Sequence, residues 1–189
     1  SEKIKDTMSD EEIGSRKDFR KTLTFTIDPD DAKDFDDAIS FKKLDHGNYE
    51  IGIHIADVTH YVKPDSALEK TAQQRATSVY LVDRVVPMLP EKISNVLCSL
   101  RPNEDKLTFS AVFEMTPQAK IVNAWYGKTI IHSAKRYTYD EVQLISDTQQ
   151  GIYTEELLIV NSLAKLLQKE RFKNGAINFE SDEIKIKLN

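Results

Sequence analysis

The 189-residue chain has a single cysteine, Cys98, so no disulfide can close within it. Cys98 stands in the apolar run Val96-Leu97-Cys98-Ser99-Leu100, which reads as the setting of a buried, inert thiol and fits a reducing cytoplasm. There is no apolar run of about 18 residues, the length a membrane-crossing helix needs. The start, Ser1-Glu2-Lys3-Ile4-Lys5, lacks the apolar stretch of a secretory signal. It also lacks an initiating Met, which points to a tag scar or an excised fragment. Internal repeats and low-complexity tracts are missing. So is an excess of basic residues: the formal net charge is −5, which argues against a generic phosphate binder and requires any contact with nucleic acid to be local or metal-assisted. What remains is 40% hydrophobic and 30% charged, the balance of a folded globular protein with room for one sizeable core.

Residues 1–20 are rich in charge, with Asp10-Glu11-Glu12 followed by Arg16-Lys17-Asp18, and read as a solvated lead-in with a short helix. From Lys21 to Ile27, Leu23, Phe25 and Ile27 alternate with Thr22, Thr24 and Thr26, the period of a strand. Ala38–Leu44 and Tyr49–Ile55 form a hairpin around Asp45-His46-Gly47-Asn48. Asp65 or Ser66 caps a helix that should end near Tyr80, and Glu91–Leu97 make a second, short one. Leu107–Met115 and Ile121–His132 are two long strands around Thr116-Pro117-Gln118-Ala119. The rest reads as helix, over Tyr139–Ile145 and Thr154–Phe172, stopped by Asn174-Gly175. Hairpins mixed with helices predict an α+β fold, a mixed, mainly antiparallel sheet with packed helices. The organisation is a charged lead-in over 1–20 and one folded unit over 21–189.

Chemistry concentrates in one place. Asp28 to Asp37 hold six aspartates in ten positions, directly after a strand. Crowded carboxylates repel one another, and a divalent cation is the usual compensating charge. Oxygen-only ligands point to Mg²⁺ or Mn²⁺, held by one or two carboxylates, waters and a substrate phosphate. An arbitrary acidic stretch is more often a solvated loop, but Phe35 and Ala38 among these acids tie the turn to a core. A calcium-binding EF-hand fails: counting from Asp28, Lys33 stands where Gly is needed and Ile39 where Glu is needed. His54 and His60, at a strand end, read as structural hydrogen-bonding groups.

The string from Thr26 to Ala38 resembles the signature of the RNB catalytic domain of the ribonuclease II/ribonuclease R family: an Asp, a second Asp six residues on, a bulky residue, then two adjacent Asp. Asp28, Asp34, Asp36 and Asp37 fill those places. The likeness continues through Ile53-His54-Ile55-Ala56-Asp57-Val58-Thr59-His60-Tyr61-Val62, Pro87-Met88-Leu89-Pro90 and Leu97-Cys98-Ser99-Leu100-Arg101-Pro102-Asn103. The filling Asp30-Asp31-Ala32-Lys33 looks closer to bacterial ribonuclease R.

The resemblance implies a Mg²⁺-dependent, processive 3′→5′ exoribonuclease that hydrolyses single-stranded RNA to nucleoside 5′-monophosphates. By position, Asp28 and Asp37 are direct metal ligands, Asp34 supports the metal site, and Asp36 is most critical to the chemical step. Tyr80 and Phe179 correspond to the aromatic pair that clamps bases near the 3′ end, and Tyr139 to a further ring of the RNA channel; without the family, each would more often be a core ring. A non-catalytic RNA-binding relative would be expected to lack one or more of the four aspartates. The resemblance also implies that this chain is only the N-terminal part of the domain. The later part supplies an arginine and a glutamate, and OB-like cold-shock and S1 domains flank it. The chain alone is therefore expected to be inactive, with apolar surface left bare around Leu107–His132.

Overall fold

The computed structural model describes residues 8–178, in the element order α1 (Asp10–Gly14), β1 (Lys17–Asp18), β2 (Leu23–Asp28), β3 (Asp37–Lys43), β4 (Tyr49–Ala56), α2 (Val58–Tyr61), α3 (Ala67–Arg75), β5 (Val79–Tyr80), β6 (Val85–Val86), a π-helical turn (Lys92–Leu97), β7 (Asp105–Met115), β8 (Ile121–His132), β9 (Lys135–Thr138), α4 (Tyr139–Thr148) and α5 (Thr154–Lys173). Among the described residues, seven strands form one sheet in the order β1-β8-β7-β4-β3-β2-β9. Its four inner pairings are antiparallel, while β1 and β9 pair in parallel. The α+β expectation holds.

Both faces of the sheet are covered. Against one, α5 and α4 pack Leu163, Leu157 and Ile145 on Phe41, Ile51, Met115, Phe25 and Tyr137. Against the other lie Ile93, Leu97, Cys98 and Leu100 from the π-helical turn and the segment after it, with Phe19 and Phe35. This second face has a polar stripe at its centre. His54 is fully buried, with Nδ1 2.6 Å from Ser110 Oγ and Nε2 2.8 Å from Ser40 Oγ. Burial pushes its pKa down to about 4, so the ring is a neutral structural bridge. The same burial pushes the Cys98 thiol up to about 12, which makes it inert.

Three expectations need correction. Residues 16–20 are not a solvated lead-in. Arg16 is buried, its guanidinium 2.6 Å from Asp57 and donating to the carbonyls of Thr108 and Thr129, while Phe19 joins the core and β1 extends the sheet along β8. The short helix expected before it is present as α1. Second, the helix capped by Ser66 stops at Arg75, where Ala76 adopts φ 62°, and does not reach Tyr80. The β-branched Val79, Val85 and Val86 favour extended backbone, and they form a small antiparallel ribbon with Val79 opposite Val86 and Tyr80 opposite Val85. Third, Lys135–Thr138 is a strand parallel to β2, in a stretch expected to be helix.

Candidate functional site

Strand β2 ends at Asp28 and β3 begins at Asp37, so these antiparallel neighbours deliver both residues to one end of the sheet, and the loop between them carries Asp30, Asp31, Asp34 and Asp36. That loop is pinned from several directions. Arg136, on β9, donates to the carbonyls of Pro29 and Asp30, and its guanidinium carbon lies 5.6 Å from the centre of the Phe35 ring. Phe35 is buried in the core, its N–H donating to Ser99 Oγ at 3.0 Å and its carbonyl accepting from Leu100 N–H at 2.8 Å. The carbonyl of Asp36 accepts from Ala56 N–H at 2.9 Å.

The electrostatics are those of a crowded anion site. Asp28 is only 8% exposed. Desolvation is the main cause raising its pKa; Asp37 and Asp34 add to the rise, against lowering by Thr26 and Arg136. Asp36 is exposed as a residue, yet protein atoms around its carboxyl desolvate it, and Asp34, Asp37 and Asp28 raise its pKa further. Burial also strands polar atoms here. Asp28 Oδ2, Thr26 Oγ1 and Arg136 Nε are the buried side-chain polar atoms without a hydrogen-bond partner among the described residues. Thr26 lies beside Arg136 in the β2–β9 register, and Asp28 is two residues further along the same strand. Thr26 is thus near enough to Asp28 to lower its pKa, but its hydroxyl makes no well-formed bond. Of these atoms, the carboxylate oxygen of Asp28 is one that a hard cation could take up.

Among the described residues, no three carboxylate, imidazole or thiol groups converge as a ready-made metal cage. The four aspartates expected at the metal site therefore share a neighbourhood and not a closed coordination sphere. That suits a hard cation taking one or two protein carboxylates and completing its shell with water and phosphate.

A cleft of about 660 Å³ opens beside the cluster, with Asp28, Asp34, Tyr80, Glu91, Ser94 and Asn95 among its lining residues. Tyr80 is 72% exposed, so the reading of it as a core ring is excluded. Tyr139 is also exposed, and it directly follows Thr138, whose Cα pairs with that of Asp28. Phe179 lies outside the described residues. Sequence reasoning missed Arg136 and Ser99: both reach the aspartate loop from 64 to 107 residues away, a separation over which no local pattern signals contact.

Known proteins resemble this chain in sequence and in fold. Ribonuclease R 1 of Lactococcus lactis is 44% identical over 195 residues, covering 100% of this chain and 24% of that protein. The structure of Mycoplasma genitalium RNase R in complex with ribose methylated single-stranded RNA superposes with a TM-score of 0.88 at 30% identity, over 97% of this chain and 30% of that one. Yeast Ssd1, a pseudonuclease, shares the fold at 22% identity with a TM-score of 0.78, over 88% of this chain and 21% of that one. The chain thus spans about a quarter of the length of the curated relatives it matches. Residues 16–189 match the model of the RNB domain, and the chain belongs to the RNB domain family.

Proposed function

We propose that this chain carries the metal and phosphate site of a 3′→5′ exoribonuclease acting on single-stranded RNA, with Mg²⁺ as the cofactor and Mn²⁺ as a substitute. The observation that carries this reading is the buried, unpartnered Oδ2 of Asp28, on a carboxyl that feels the charges of Asp37 and Asp34. All-oxygen donors and a deficit of positive charge suit a hard divalent cation. Asp28 and Asp37, at the sheet end, are the residues assigned to hold it, with Asp34 beside them. Bound there, the ion would polarise the scissile phosphate and lower the pKa of a water.

Asp36, exposed as a residue and close to Asp34, Asp37 and Asp28, is the residue assigned to the chemical step, where its carboxylate would orient the attacking water. Tyr80 offers a ring to a base on the cleft side, and Tyr139 a second ring beside β9. Stacking contributes about 1–3 kcal/mol per base without selecting a sequence, which suits removal of any nucleotide. The fold is shared by a pseudonuclease, so the fold alone does not carry catalysis. The four aspartates at Asp28, Asp34, Asp36 and Asp37 favour the enzyme over a module that only holds RNA.

The test uses the full-length protein containing this chain and 5′-labelled single-stranded RNA. Progressive shortening from the 3′ end, with nucleoside 5′-monophosphate as product, is expected. Asp36→Asn should lower turnover by orders of magnitude while RNA affinity stays within about twofold, because it removes an interaction made mainly in the transition state. Internal cleavage, or equal loss of binding and turnover, would contradict the assignment.

A further inference from the structure

The loop that bears the acids is held on its C-terminal half by contacts from far along the chain. Ser99 Oγ donates to the carbonyl of Lys33 at 2.9 Å and accepts from the N–H of Phe35 at 3.0 Å. These two peptide groups flank Asp34, and one hydroxyl bridges both. Ser99 is fully buried, among Cys98, Leu100 and Phe35. Packing there could be satisfied by an apolar residue of the same size. What an apolar residue cannot supply is the donor and acceptor that the loop backbone uses. No other side chain among the described residues bonds the peptide groups of residues 33–36 in this structure. Leu100 N–H adds the bond to the Phe35 carbonyl at 2.8 Å, so the segment after the π-helical turn acts as a rigid backing for the loop.

We propose that Ser99 is a positioning residue: its hydroxyl clips the backbone on either side of Asp34 and so fixes where the carboxylates of Asp34 and Asp36 stand relative to Asp28. This rests on the reading of the acids as a cation site. Hydrogen-bonding groups outside the ligand set commonly change metal affinity by about 10–100-fold when removed. Ser99→Ala leaves a donor and an acceptor of the loop backbone unmet, and the loop relaxes away from its fixed geometry.

The test is Mn²⁺ binding to the chain by calorimetry and by the electron paramagnetic resonance of the ion, alongside amide exchange at Phe35 and thermal unfolding. Ser99→Ala should weaken Mn²⁺ by about 10–100-fold and speed exchange at Phe35, while the amides of β4 stay protected. Ser99→Thr, which keeps the hydroxyl, should recover most of both. If Ser99→Ala does not fold, Ser99→Cys, a weak hydrogen-bonding replacement, should show an intermediate loss. Unchanged Mn²⁺ affinity in a folded Ser99→Ala or Ser99→Cys overturns the proposal, as does a Phe35 amide that exchanges no faster. Failure of the unsubstituted chain to bind Mn²⁺ is a separate outcome, visible before any substitution. It overturns the cation reading itself, and with it this role for Ser99.

Discussion

At the scale of single residues, the fold places neutral and charged groups where each is costly to disturb. His54 is neutral when folded, since burial holds its pKa at about 4, below the ordinary imidazole value of 6.5. The unfolded chain therefore takes up a proton first as pH falls, so stability is full above pH 6.5 and is lost progressively down to about pH 4. At about 1.4 kcal/mol per pH unit in that window, the His54 contribution to the unfolding free energy should drop by roughly 2 kcal/mol between pH 6.5 and 5. Asp28 and Asp36 have raised pKa values, and their linkage runs the other way, since falling pH relieves their buried charge. Urea titrations of the wild type and His54→Gln separate the two, because the variant keeps the aspartates and His60 and loses only the His54 slope. Identical pH profiles would show that His54 is not the group responsible. The aspartates at 28, 34, 36 and 37 were legible from residue type and spacing. Arg136 and Ser99 were not, because what they do depends on strand order and a distant backing segment.

At the scale of elements, alternating patterns gave the long strands β2, β3, β4, β7 and β8 to within two residues, because their apolar faces recur with the pleat. Short elements escaped. β9 is four residues, and its signal is the single buried ring of Tyr137, which meets Phe25 edge-on at 5.7 Å. β5 and β6 are two residues each, and the spacing of Leu68, Ala72, Ala76 and Val79 mimics a helix that the positive φ of Ala76 ends. Glycine has a specific duty in β4: a Cβ on Gly52 would stand 2.3 Å from Ser40 Oγ and 2.6 Å from His54 Nε2. Gly52→Ala should therefore destabilise the chain by about 1–3 kcal/mol through overpacking, read as a lower urea midpoint. An unchanged midpoint would mean that the polar stripe is free to rearrange. Arg16 ties the start of the described chain to the end of β4 through Asp57. Arg16→Ala leaves a buried carboxylate unpaired and should cost about 3–5 kcal/mol in the same assay; a loss under 1 kcal/mol would return this segment to the role of a loose lead-in.

At the scale of the whole molecule, the chain leaves apolar surface bare where sequence reasoning expected it. Phe109, Ile121, Val122 and Tyr126 are all exposed. Strand β8 pairs with β1 only at Thr129 and Ile130, so Ile121–Lys128 is an open edge among the described residues. Open apolar edges template pairing with other chains. Sedimentation velocity should accordingly show self-association that weakens in Val122→Lys; a monomer at every concentration would contradict this. On single-stranded RNA with Mg²⁺, the chain alone should turn over orders of magnitude more slowly than the full-length protein. Positively charged groups acting on a transferring phosphoryl supply several kcal/mol of barrier lowering, and Arg136, on the strand beside Asp28, gives its Nη2 to the carbonyls of Pro29 and Asp30. The proposed chemistry depends on the acids at the sheet end holding a cation. The most direct test is calorimetric titration of Mn²⁺ into the chain and into Asp28→Asn, with unfolding followed in parallel. Binding to the wild type and binding at least about tenfold weaker to a folded Asp28→Asn are expected, whereas equal affinity in the two would show that Asp28 holds no cation.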